Sequence, residues 1–335
     1  MKDSDLKKPS RPRRRALGAA TAIISVMITL LALEVVARIL LPGARNLENI
    51  VTQNSGSDSR AYSLKPGARV DFRGLVKRLD KPVVWQINAQ GIRSDRLVPP
   101  KSMKFRIATF GDSETFGWSM PLASTFQRRM EQIDENVEVI NLGIPGYNAE
   151  NIADYMAEVL ADLDADYVIY VAHKNDIHPP LTYSPILAKS YLLIGLRYAY
   201  FSLQLSKLSK QTGHRYSQES MKYFANQVDR MIRISRAENV PLLISYLSTR
   251  ISKAFPLLKE HDLQTFKKTG VTGHYKRIFG VGSLNIEHGW KKFPRIGGHM
   301  GQAGHQETAE IFCLEISAGR KHSCVPPYWR PARDQ

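Results

Sequence analysis

The longest apolar stretch lies near the start of the chain, where Ala16 to Leu33 runs for eighteen residues without a charged side chain. Val35 to Leu41 continues it, with Glu34 and Arg38 near its outer end. At helical rise the eighteen residues span roughly 27 Å, close to the thickness of a bilayer's hydrocarbon core, so 16–41 predicts one transmembrane helix. Further on, short apolar runs rich in β-branched and aromatic residues occur at Phe105 to Phe110, Val137 to Leu142, Tyr167 to Ala172 and Pro241 to Leu247. They alternate with segments of helical period at Thr125 to Ile133, Glu150 to Leu163, Gln218 to Glu238 and Gln306 to Ile316. Such alternation predicts an α/β domain over 101–320: a central parallel sheet covered on both faces by helices, with functional loops at the carboxyl ends of the strands.

Between the anchor and this domain, 42–100 reads as a stalk and a small β element. Pro42 to Arg60 is polar and turn-rich, whereas Tyr62 to Leu97 holds short alternating patches such as Val83 to Ile87. Leu181 to Ser209 breaks the strand-helix alternation with an aromatic, apolar and basic insertion that includes Tyr191, Leu192, Leu193, Tyr198, Tyr200 and Phe201. It reads as a lid, as a membrane-facing helix, or as an amphipathic helix packed on the core. Residues 321–335 form a C-terminal tail.

Charge gives the anchor a direction. The first fifteen residues carry seven basic side chains against Asp3 and Asp5, so 1–15 is expected to stay in the cytoplasm and the rest to face outward, a single-pass arrangement with an extracytoplasmic domain. A cleaved signal peptide is the alternative, but the apolar stretch exceeds the usual length and no small-x-small site follows it. The whole chain has a formal charge of +16, with basic clusters at Lys207 to Lys222, Arg230 to Arg236 and Lys267 to Arg277. In an exported domain such an excess suits anionic glycans, lipid headgroups or solvated surface, and with no binding motif beside it nucleic acid is not an expected partner. The two cysteines, Cys313 and Cys324, read either as a disulfide tying the last helix to the tail or as a buried thiol and a free one. Neither they nor the histidines have metal-ligand spacing, so no metal and no cofactor is expected.

Four segments carry candidate chemistry, in order: Gly111-Asp112-Ser113, where an apolar run ends and a helix begins; Asn141 to Gly146; Lys174-Asn175-Asp176; and Gly298-His299 leading into Gly304-His305. The ordered set resembles the SGNH, or GDSL-type, hydrolase superfamily, and Ile87 to Arg93 just upstream is similar to the lead-in of its membrane-anchored members. The resemblance implies a three-layer, flavodoxin-like fold and an esterase with Ser113 as nucleophile and His299 as base. It implies an oxyanion hole of the Ser113 N–H, the Gly146 N–H and the Asn175 amide. Asp112, His173 and His305 are candidate pocket residues, Asp112 also as a stabiliser of the turn. The pattern departs at its last block, where an acid usually stands three residues before the histidine and this chain has Ile296. Glu287, Asp262 and Asp176 are the candidate substitutes, beside a bare Ser-His dyad or an impaired site.

The function that follows is a membrane-anchored deacylase, an acetylesterase among the options, acting through an acyl-enzyme on an acylated carbohydrate or other ester outside the cytoplasm. The alternatives are an O-acyltransferase using the same residues, and a non-catalytic glycan-binding or assembly protein with a degenerate site.

Overall fold

The computed structural model describes residues 11–40, 49–53, 62–72, 83–118, 120–173, 176–177, 189–193, 195–196, 218–246 and 299–330. Four strands, β5 (Phe105–Gly111), β6 (Val137–Gly143), β7 (Tyr167–Ala172) and β8 (Leu242–Tyr246), form an all-parallel sheet in the order β6-β5-β7-β8. With β5 counted first this is the 2-1-3-4 order of flavodoxin-like sheets, in which the strand order reverses between the first and third strands; ligands bind at that switch point.

Both faces of the sheet are covered, as continuous apolar strands require. Ala108, Phe110, Val168, Tyr170 and Ile244 face a core shared with Ile152 and Met156 of α4 (Ala149–Val159) and Phe224 and Val228 of α5 (Gln218–Ala237). Ile107, Val139, Ile169, Val171 and Leu243 face the other, with Phe126 and Met130 of α3 (Phe126–Ile133) and Ala309 and Phe312 of α6 (Gln302–Ile316). Arg106 is the exception within β5: its buried guanidinium is neutralised by Glu138 of β6 at 2.8 Å and donates to the Leu163 carbonyl.

Before the sheet come α1 (Arg11–Leu40) and two antiparallel ribbons, β1 (Val51–Gln53) with β2 (Tyr62–Leu64), and β3 (Arg69–Phe72) with β4 (Val83–Gln86). In α1, Ala16–Leu40 is long and apolar enough to cross a membrane by length and composition. The helix begins within the basic tail, and β1 within the segment read as stalk. Sequence boundaries shift elsewhere too. α4 stops at Val159 and a 3-10 turn, Ala161–Leu163, follows it. α6 starts four residues before the apolar period suggests, since Gly304 reads as a helix breaker yet is needed there: a Cβ on it would meet Met300 Cγ at 2.6 Å. Cys313 and Cys324 are disulfide-bonded, tying α6 to the tail.

The chain turns most sharply after β5, where α2 (Ser113–Phe116) follows at once. Asp112 caps it by accepting the Glu114 N–H at 2.8 Å, and Gly117 ends it at φ +78°. The sheet register pairs Gly111 with Gly143, and α2 sits directly on both: a Cβ on Gly143 would lie 2.2 Å from the Phe116 nitrogen. Gly143→Ala should therefore displace this turn and lose about 1–3 kcal/mol of stability, readable as a lower urea midpoint; an unchanged midpoint would show that the turn has room to move.

Candidate active site

Ser113 opens α2 above the end of β5, and His299 arrives from the other end of the chain with its Nε2 3.0 Å from Ser113 Oγ, within hydrogen-bonding distance. The imidazole is half-buried and stacks on Trp118, with ring centroids 5.7 Å apart and planes 27° apart. Gly146 lies exposed in the turn after β6 at φ +84°, where a side chain would be strained and would strike Tyr62 Oη. Tyr62 Oη donates to the Pro145 carbonyl at 2.6 Å and so fixes that turn.

Beneath Ser113 lies a buried set of titratable groups brought together across the switch point. Asp112 Oδ2 is 3.0 Å from His173 Nδ1, at the end of β7. On its other side the same ring has Nε2 3.8 Å from Glu114 Oε1. Asp176 Oδ2 accepts from Tyr170 Oη at 2.7 Å and from the His173 N–H at 2.9 Å. Burial pushes the Asp112 carboxyl up, but the charge and hydrogen bond of His173, the Glu114 N–H and the charge of His299 outweigh it and hold the group below its ordinary value. Burial pushes the His173 imidazole down, and Asp112, with Glu114 and Asp176, more than reverses this, to about 9. Asp176 is raised well above the ordinary carboxylate range, first by burial and then by the charge of Asp112. The set is thus arranged as an ion pair of Asp112 with the His173 imidazolium, with the Asp176 carboxyl beside it.

Glu114 Oε2 accepts the N–H of Met300, the residue next to His299, at 2.9 Å. This ties α2 directly to the backbone carrying His299. His305 lies apart from the Ser113–His299 pair: it is 1% exposed, stacks on Phe126, accepts the Phe126 N–H at 3.2 Å and is pushed down to about 3, mainly by burial. Asp112 and His173 lie under Ser113. Asn175, Ile296, Asp262 and Glu287 are outside the described residues; of the candidate acids Asp176 is described, and it faces Tyr170 and His173. No group of three or more His, Cys, Asp or Glu residues suited to a metal occurs among the described residues.

Three contributors have no role assigned from the sequence, although Arg93 closes the Ile87 to Arg93 lead-in. The Arg93 guanidinium, fully buried, donates to the carbonyls of Phe116, Gly117 and Met120 and so closes the C-terminal end of α2. Trp85 Nε1 donates to the Trp118 carbonyl at 3.0 Å, while Trp85 and Phe72 pack against the Trp118 ring beneath His299. Glu114 is the third. The one signal for it is a charged residue directly after Ser113.

No family model and no curated protein matches the chain. Among solved structures it is similar to the psychrotrophic esterase EstA from Pseudoalteromonas sp. (TM-score 0.42, 11% identity, 64% of this chain and 98% of that one). It is similar also to the acetyl xylan esterase AlAXEase (0.40, 12%, 63% and 99%) and to a lipolytic protein of the G-D-S-L family from Veillonella parvula (0.37, 16%, 64% and 98%). At these levels the site's own residues have to carry the functional argument.

Two stability measurements test the buried set. Because the folded value of His173 lies above its ordinary 6.5, its contribution is complete below about pH 6.5 and is lost as pH rises through about 9. The melting temperature of the wild type should fall over that window, and His173→Asn should lack that decline. Glu114→Ala strands the Met300 N–H and should cost about 1–3 kcal/mol in urea denaturation, with Glu114→Gln, which keeps an acceptor, losing less.

Proposed function

We propose that the protein is a serine esterase anchored in a membrane, and the observation that carries this is the 3.0 Å approach of His299 Nε2 to Ser113 Oγ at the carboxyl ends of the strands. A serine hydroxyl needs a base in reach to become a nucleophile. His299 takes the proton as Ser113 attacks an ester carbonyl, then passes it to the departing alcohol; water hydrolyses the acyl-enzyme with the same base. The oxyanion is held by the N–H groups of Ser113 and Gly146 and the Asn175 side-chain amide.

The imidazolium formed on His299 needs a compensating charge. Buried Asp112 supplies it from beneath Ser113, close enough that the charge of His299 lowers its own titration. Trp118 and Glu114 hold the ring and its backbone, the work that an acid three residues upstream would otherwise share.

In this reading the basic tail lies in the cytoplasm and the catalytic domain outside it, with α1 as the span. The substrate class is an acyl ester on an extracytoplasmic glycan, acetyl included; what supports it is the outward placement and the basic excess of the exported chain.

Hydrolysis of p-nitrophenyl acetate by the full chain in detergent tests the chemistry. Ser113→Ala and His299→Ala should each leave no more than about a thousandth of the wild-type kcat. Asn175→Ala should lose roughly 100- to 1,000-fold as an oxyanion donor. Turnover that survives Ser113→Ala would remove the serine mechanism.

A further inference from the structure

Glu34 lies eighteen residues beyond Ala16, the first residue of the apolar span. At helical rise this puts it roughly 27 Å along α1, at the far edge of a hydrocarbon core. A carboxylate at that depth is costly unless its oxygens find partners. Here they do, and most come from the domain rather than from the helix. Glu34 Oε2 accepts from Ser190 Oγ at 2.8 Å and from the Leu192 N–H at 3.0 Å. Its Oε1 accepts from the Tyr191 N–H at 3.1 Å and from Arg38 Nε at 2.9 Å. The Arg38 guanidinium, one turn further out, lies 5.4 Å from the centre of the buried Tyr191 ring.

These contacts set the depth of the segment they hold. Tyr191 and Leu192, bonded to Glu34, lie level with it, so what the adjoining residues expose meets the boundary between acyl chains and headgroups. They expose leucines: Leu193 is 38% and Leu196 56% accessible, beside a helix whose own Val35, Val36, Ile39 and Leu40 are also exposed. In water such a set would be a liability; at a bilayer surface it gains from burial, and Arg38 at that depth suits the headgroup side.

We propose that helical Tyr191 to Leu193, together with Leu196, makes a second membrane contact, a foot that seats Leu193 and Leu196 in the interfacial layer of the outer leaflet and is latched to the anchor by Glu34. It rests on the reading of α1 as a membrane span. With two contacts instead of one tether, the domain is held at a fixed tilt and height over the bilayer, which confines Ser113 to substrates within a narrow distance of the surface.

Depth-dependent quenching tests this on the full chain in phosphatidylcholine vesicles, with acyl chains brominated either near the headgroup end or near the bilayer centre. Three single variants are compared with wild type: Leu196→Trp in the foot, Ile28→Trp in mid-span and Leu97→Trp on the domain surface. The expected result is that added fluorescence is lost to shallow bromine in Leu196→Trp, to deep bromine in Ile28→Trp, and to neither in Leu97→Trp. Adding Glu34→Ala to Leu196→Trp should remove the shallow quenching, while adding it to Ile28→Trp should leave the deep quenching in place. Quenching at Ile28 without quenching at Leu196 overturns the foot alone, including the case in which a blue-shifted emission shows the leucine covered by protein. Shallow quenching that survives Glu34→Ala overturns the latch. No quenching at Ile28 overturns the anchor, and this inference with it.

Discussion

Everything at the candidate site depends on how closely the backbone of α2 approaches the ends of β5 and β6. A peptide unit is set where the Cβ of residue 143 would be, 2.2 Å from the Phe116 nitrogen, and Thr115 fills the space where one on Gly111 would be. That approach lets a four-residue helix follow a strand without a loop, so Ser113 emerges above the sheet instead of folding back along it. The register Gly111↔Gly143 makes the contact possible on both strands at once. A side chain at either position would move the nucleophile and everything referred to it.

The turn also governs the electrostatics. Because α2 begins at once, Asp112 and Glu114 are carried below the surface on either side of Ser113, each 1% exposed. Two buried acids so close need a cation, and β7, across the switch point, supplies His173 between them. The result holds the Asp112 carboxyl below its ordinary value, so that a fixed negative group underlies the place where His299 would become positive. A preset charge of this kind needs no rearrangement during reaction, which is the physical advantage of burying it.

Around this centre the small β element works as a brace. Arg93 takes the carbonyls at the end of α2, Tyr62 holds the Pro145 carbonyl next to Gly146, and Trp85 supports Trp118 under His299. The two loops that follow β5 and β6 are thus tied to one element that precedes them in the chain. That element in turn follows α1, whose Glu34 is bonded to Ser190, Tyr191 and Leu192 beyond β7.

Local patterns in the chain determined a good deal. Apolar runs and helical periods placed the four strands and the covering helices to within a few residues, because continuous burial on two faces leaves a readable signal. The motif order picked out the two residues, Ser113 and His299, that the fold brings within hydrogen-bonding distance. Where the pattern was weak, as at Gly304 inside α6 or β1 inside a polar stretch, packing against distant residues overrode it. Tertiary structure alone decided the partners: that His173 lies between Asp112 and Glu114, that Glu114 reaches Met300 186 positions away, that Trp118 lies under His299 and that His305 belongs to the core. Burial periodicity is a property of neighbouring residues and survives in the sequence. Which buried charges meet is set by strand order and crossover, and these bring together residues whose separation along the chain carries no trace of the contact.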